Sequence, residues 1–190
     1  MKIDVHPVDA TRWPDLETLF GPSGAYSGCW CMWWRISSKE FSANGNPGNH
    51  AAFEEVVCGG EPVGLLGYAG DEPVGWVAAA PRSAYPRVLR SPALKPKTEE
   101  KAAVWSVTCF FIHRGHRRTG VAGALLKALP AYARSHRASI LEAYPVDTSD
   151  GKKLAAAELY TGTVALFTRA GFTVHERPPT GRRVIMRRTI

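Results

Sequence analysis

Residues 110–129, FFIHRGHRRTGVAGALLKAL, constrain what this 190-residue chain can fold into more than any other stretch. A β-rich run, 103–113, ends here. A basic, glycine-bearing turn follows it, and a helix of about 18 residues opens at 119. The N–H groups of a helix's first turn have no intrahelical partner and carry partial positive charge, so such a turn suits a phosphate. Gly120 and Gly123 let a backbone and a ligand approach closely. Arg114, Arg117 and Arg118 add full charges, and the planar guanidinium fork matches phosphate oxygens. No Gly-Lys-Ser/Thr follows, which excludes a Walker loop, and G-x-G-x-x-G is absent, which excludes the dinucleotide fingerprint. Val121, Leu125, Leu129 and Tyr132 form one stripe of the helix that should lie on a sheet. Pro130 should bend it.

The remaining segments fit around this unit. Residues 2–8 read as an edge strand and 11–20 as a short helix capped by Thr11 or Asp9. Residues 43–49 read as a polar loop and 50–58 as a helix stopped by Gly59 and Gly60. Residues 63–69 and 73–80 form a hairpin about the turn 70–73. Residues 81–101, with four prolines, read as a long loop. A strand at 139–145, a helix at 162–170 and strands near 172–177 and 183–189 complete the order. Hairpins combined with one strand–helix–strand crossover predict a mixed sheet covered by helices. No repeat or linker divides the chain, so residues 1–190 are expected to form a single domain.

Composition narrows the function classes. No apolar run approaches the roughly 20 residues of a membrane helix, and the N-terminus lacks signal-peptide character. Four unevenly placed cysteines make no disulfide framework, and a reducing, cytoplasmic setting is expected. The net charge is +7, but no tract of five or more basic residues occurs. That speaks against a nucleic-acid partner and for an anionic ligand such as a phosphorylated cofactor.

Two further stretches point to a family. Arg117-Arg118-Thr119-Gly120-Val121-Ala122 fits Q/R-x-x-G-x-G/A, and Ala165-Leu166-Phe167-Thr168-Arg169-Ala170-Gly171-Phe172 resembles A-x-x-L-Y-x-x-x-G-F. In both motifs and in element order the chain resembles the GNAT superfamily of N-acetyltransferases. The resemblance implies an α/β (α+β) fold, with a mixed central sheet of about seven strands flanked by about four helices. It implies acetyl-CoA as cofactor and direct attack by a primary amine, from a small molecule or a peptide, in a ternary complex. It places pantetheine along Phe110, Phe111 and Ile112, and pyrophosphate on the N–H groups from Arg118 through Thr119, Gly120, Val121 and Ala122 to Gly123. Arg117 belongs to the same signature, and Arg114 or Arg118 is expected at the adenosine phosphate.

The acid–base groups depart from the family pattern. The inward positions before the signature hold Ser106 and Thr108, neither of which is a base at neutral pH. Glu142, His113 and Glu158 are alternatives. Phe167 stands in the slot of the family's thiolate-protonating tyrosine, so Tyr160 or Tyr144 is expected to supply a hydroxyl. A homodimer is a further expectation. Two other functions are compatible with these departures: an acyl-CoA sensor without turnover, and a toxin-like enzyme acting on aminoacyl-tRNA.

Residues 28–35, GCWCMWWR, hold half of the tryptophans and half of the cysteines. C-x-C spacing with no completing Cys or His pair argues against a metal, and a Cys29–Cys31 disulfide would close a very small ring. Core packing remains one reading. The other is a pocket wall in which Trp30, Trp33 and Trp34 stack on the acceptor, Arg35 pairs with an anionic group on it, and Tyr144 lies nearby.

Overall fold

The computed structural model describes residues 2–151 and 153–190. Its strands are β1 (Asp4–Pro7), β2 (Gly64–Ala69), β3 (Glu72–Pro81), β4 (Val104–Ile112), β5 (Ile140–Ala143), β6 (Thr173–Glu176) and β7 (Ile185–Thr189). They form one seven-stranded sheet in the order β1-β2-β3-β4-β5-β7-β6. Every pairing is antiparallel except β4 with β5, which the crossover helix makes parallel. The helices are α1 (Trp13–Phe20), α2 (Ser38–Cys58), α3 (Pro86–Arg90), α4 (Val121–Ser135) and α5 (Val164–Arg169).

Alternation along the strands divides the core between the two sheet faces. One face packs Val77, Trp105, Val107 and Leu141 against Leu125, Leu126 and Leu129 of α4 and Phe167 of α5. All four residues of the expected α4 stripe are buried, and the helix continues through Pro130. On the other face Trp76, Leu66 and Ala78 meet Trp13 and Phe20 of α1 and Phe53 of α2. Gly75 of β3 lets the start of α4 settle close to the sheet, since a Cβ there would lie 2.4 Å from Val121 Cγ1.

Two expected loops contain helix. Residues 43–49 lie inside α2, which begins with a capping box: Glu40 N–H donates to the Ser37 hydroxyl, and Ser37 N–H to the Glu40 carboxylate. The helix breaks at Gly45, whose φ of 58° interrupts the helical path. The asparagines that gave this segment its loop-like composition serve as anchors. Asn46 accepts from Trp30 Nε1 at 2.6 Å and donates to the Pro22 carbonyl at 2.8 Å, and Asn49 donates to the Gly28 carbonyl at 2.9 Å. Within 81–101, one helical turn at 82–84 and then α3 turn Tyr85 and Val88 into the interior. Asp9, not Thr11, caps the first helical turn.

Candidate active site

The turn between β4 and α4 places its cations outward. Arg114, Arg117 and Arg118 are all exposed. Arg117 Nε donates to the Ile112 carbonyl and Thr119 Oγ1 to the His116 carbonyl, which fixes the turn. Arg118 has a φ of 65° and Gly120 one of 93°. These left-handed residues swing the chain so that α4 starts with no side-chain cap and no acidic residue in its first turn. A Cβ at Gly120 or Gly123 would meet nothing within 4 Å, so no protein atom requires either to be glycine on grounds of space. Uncapped donors, positive charge and open room above Gly123 fit a pyrophosphate group.

β4 carries a bulge that the sequence does not announce. Ala78 pairs with Cys109 and Ala79 with Val107, which leaves Thr108 without a partner on β3. The bulge turns the end of the strand, so that the Phe110 ring meets Phe167 at 5.8 Å while the Phe111 ring meets Phe20 on the opposite face at 5.7 Å. Pairing of β4 with β5 stops at Val107 and Ala143, and from Thr108 onward the strands part. The segment before α5 crosses this gap: Phe110 N–H donates to the Tyr160 carbonyl at 2.6 Å. Phe110 and Ile112 are the residues expected to contact pantetheine through their backbone; here the Phe110 N–H is engaged by Tyr160 and the Ile112 carbonyl by Arg117. Phe167, expected at the cofactor, is fully buried as core between Phe110 and Phe172.

Ser106 and Thr108 are buried on β4. Ser106 Oγ lies 2.7 Å from the Tyr144 hydroxyl, which donates to Glu142 Oε1 at 2.7 Å. Glu142 is held by Arg82 and Arg187, and both arginines also hold Glu100. A carboxylate whose oxygens are taken by two arginines and a tyrosine hydroxyl is committed to holding the sheet together, which corrects the expectation of Glu142 as a base. Tyr144 is wholly buried, and burial together with the Glu142 charge pushes its phenol well above the ordinary range. From the interior it ties Ser106 of β4 to Glu142 of β5.

The aromatic block divides. Trp30 is core, not pocket wall: it is buried against Trp13, Phe20 and His50. Cys31 is buried too, and accepts from Trp76 Nε1 at 3.0 Å. Trp33 lies on the surface, with the Arg87 guanidinium 3.8 Å above its ring. Trp34 packs into a small cluster with Tyr85 and Tyr144, and Tyr160 lies against that cluster. Arg183 stands 5.5 Å from both the Trp34 and the Tyr160 ring, and its Nη2 donates to the Tyr160 hydroxyl at 3.0 Å. Arg35 stacks 4.9 Å over Tyr85. All four cysteines are free thiols. Among the described residues one trio could in principle ligate a metal, Glu72, His113 and His116, with ligand atoms within 4.8 Å of one another. The surface contact between His116 and Glu72 at 3.6 Å accounts for part of that grouping.

The sequence profile of the GNAT acetyltransferase family matches residues 30–172. The chain belongs to this family. No curated protein sequence matches it. Solved GNAT structures share the fold at low identity. An acetyltransferase of Corynebacterium glutamicum, described as histone acetyltransferase HPA2 and related, superposes with a TM-score of 0.57 at 17% identity, covering 100% of this chain and 97% of that one. The PaiA N-acetyltransferase of Thermoplasma acidophilum, solved with coenzyme A, gives 0.54 at 10% identity over 100% of both chains. The AAC(6')-Ib structure with paromomycin and acetyl-CoA gives 0.57 at 13% identity, covering 100% of this chain and 94% of that one.

The GNAT frame gives each surrounding group its address. Tyr160 sits at the parting of β4 and β5. Trp34, Tyr85, Arg87 and Arg183 lie around it, and Arg35 stacks on Tyr85. Glu158 is exposed and donates nothing to this gap: its carboxylate accepts from the Ala155 N–H. Tyr85, Arg87 and Arg183 escaped the sequence reading, because they come from a proline-rich segment and from the entrance to β7, and only the fold unites them. Among the described residues no helix is long and apolar enough to cross a membrane.

Proposed function

We propose that this GNAT protein is an N-acetyltransferase that passes the acetyl group of acetyl-CoA directly to a primary amine. The observation that carries the reading is the opening of α4, with an uncapped first turn, an open Gly123 and three exposed arginines, set beside the parting of β4 and β5. When bound, acetyl-CoA supplies an activated thioester: the amine nitrogen forms a C–N bond as the C–S bond breaks, one proton leaves the nitrogen and one ends on the thiolate.

The chain's own groups divide this work. The first-turn N–H groups from Val121 to Gly123 hold phosphate oxygens. Tyr160 holds a hydroxyl at the gap, and burial raises its pKa, so it stays protonated as a donor. Arg87 and Arg183 lie beside it, and their positive field disfavours a neighbouring ammonium, which eases loss of the amine's proton without a carboxylate base. Ser106 and Thr108 line the buried side of the strand.

Mass spectrometry of reactions with acetyl-CoA and an amine panel, with release of free coenzyme A thiol followed in parallel, tests the proposal. Acetylated amine with matching thiol release is expected. Tight coenzyme A binding with no acetylated product from any amine would leave the sensor reading in its place, and salt-sensitive binding of charged tRNA would favour the toxin-like one.

A further inference from the structure

Among the described residues, nine buried side-chain polar atoms have no hydrogen-bond partner, and five of them belong to one neighbourhood: Trp34 Nε1, Arg35 Nη2, Tyr85 Oη, Arg87 Nη2 and Arg183 Nε. Four of these are obligate donors, and the fifth, the Tyr85 hydroxyl, faces Thr108 and can still donate. They come from three separate segments. Arg183 stacks on Trp34, Arg35 stacks on Tyr85, and the Arg87 N–H reaches the Trp34 carbonyl at 3.4 Å. Arg87 is further fixed by its Nε, which donates to the Ile36 carbonyl at 2.7 Å. Among the described residues none of the three arginines forms an ion pair with a carboxylate, whereas Arg82 and Arg187 are paired with Glu100 and Glu142. Arg87 has Cys29 and Tyr160 as titratable neighbours, and burial lowers its pKa.

Buried donors without acceptors are costly, and three like charges without a counter-ion add to the cost. A ligand that brings oxygen acceptors and negative charge removes both penalties. We propose that the acceptor is a primary amine that also carries a carboxylate, and that Arg87 and Arg183 grip this carboxylate beside Tyr160 while Arg35, Trp34 and Tyr85 supply donors beneath it. This inference rests on the acetyl-transfer reading and adds the substrate class to it. The flat guanidinium fork, held against aromatic faces, matches the two coplanar oxygens of a carboxylate.

Matched amines decide the matter. Tyrosine and tyramine, tryptophan and tryptamine, and phenylalanine and phenethylamine each keep the amine and differ in the carboxylate; 1-amino-2-phenylethylphosphonate replaces it with a phosphonate. The amino acids should be acetylated with kcat/KM about 100-fold or more above their decarboxylated partners. Arg183→Gln and Arg87→Gln should each erase most of that preference while leaving coenzyme A affinity and melting temperature near wild type. Equal or faster turnover of the decarboxylated amines would overturn the carboxylate site and leave acetyl transfer standing. Faster turnover of the phosphonate would overturn the choice of carboxylate. If no amine turns over, calorimetry of the coenzyme A-loaded protein with phenylalanine and phenethylamine still decides: selective binding of phenylalanine supports the anion site after the transfer reading has failed, and binding of neither or of both equally overturns it.

Discussion

The Phe110 N–H donates to the carbonyl of Tyr160 at 2.6 Å, across the gap where β4 and β5 part. One bond thus ties the strand edge proposed for the pantetheine arm to the residue proposed as proton donor. A chain laid along that edge takes the Phe110 N–H for itself and releases the Tyr160 backbone, so Tyr160 should respond to cofactor. Tyr160 contributes a carbonyl to this bond, so the effect on 156–163 is loss of an anchor: the segment should open more often, and its own amides should exchange faster, when coenzyme A is added. Unchanged exchange with saturating coenzyme A would show that the bond survives loading.

The Tyr160 hydroxyl is held by Arg183, and burial raises its pKa above the ordinary 10.0. It remains protonated across the neutral range and loses its proton only above its ordinary value. Tyr160→Phe should lower kcat about 100-fold with little change in melting temperature. The wild-type rate should show no fall below pH 10 that the variant lacks. A kcat within threefold of wild type would remove Tyr160 from the chemistry.

Glu142 and Glu100 form a closed network with Arg82 and Arg187, and Glu142 also receives the Tyr144 hydroxyl. Breaking such a buried pair leaves uncompensated charge, so Glu142→Gln should cost about 3–5 kcal/mol of stability. At a temperature where the variant stays folded, kcat should fall by less than about threefold, which separates support from catalysis. Arg187 and Arg82 hold Glu100 below its ordinary 4.5. A carboxylate with a depressed folded-state pKa contributes stability that is complete above its unfolded value and is lost as pH falls through the folded one. The melting temperature should drop on acidification below pH 4.5, and less steeply in Glu100→Gln.

The order of strands and major helices was legible because β alternation and the α4 stripe depend on near neighbours in sequence. The basic, glycine-bearing turn between β4 and α4 was legible for the same reason. The bulge at Thr108 was not, since it exists only relative to Ala78 and Ala79 on β3. The anchoring asparagines of α2 read as loop because their partners, Trp30, Pro22 and Gly28, lie 16 or more residues away. Glu142 looked like a free carboxylate, as Arg82 and Arg187 are distant in the chain. The arginines around Tyr160 carry no spacing signal at all.

Trp30 and Trp33 lie three residues apart and should behave in opposite ways. Trp30 is buried among Trp13, Phe20 and His50, so Trp30→Ala should cost about 3–5 kcal/mol and lower the melting temperature sharply. Trp33 is 39% exposed and forms the shelf under Arg87. Trp33→Ala should leave stability within about 1 kcal/mol of wild type and raise the acceptor KM several-fold without changing coenzyme A affinity. Equal loss of stability in both variants would return the whole block to the core.

Gly123 offers a test in which stability and binding move in opposite directions. It lies inside α4 with ordinary helical backbone, and a Cβ there would meet no protein atom within 4 Å. Glycine costs roughly 0.5–1 kcal/mol relative to alanine within a helix, and Gly123, in the first turn of α4, falls at the low end. Nothing in the protein's own packing repays that cost. If the space above Gly123 is reserved for pyrophosphate, Gly123→Ala should raise the melting temperature by about 1–2 °C while weakening coenzyme A binding about tenfold, as the methyl group stands where phosphate oxygens approach the first-turn N–H groups. Gly120 makes a contrasting control: its φ of 93° strains any other residue, so Gly120→Ala should lower the melting temperature as well as the affinity. Thermal melts and coenzyme A titrations of the two variants separate the cases, and a Gly123→Ala protein that is more stable and binds coenzyme A as well as wild type would place the pyrophosphate elsewhere.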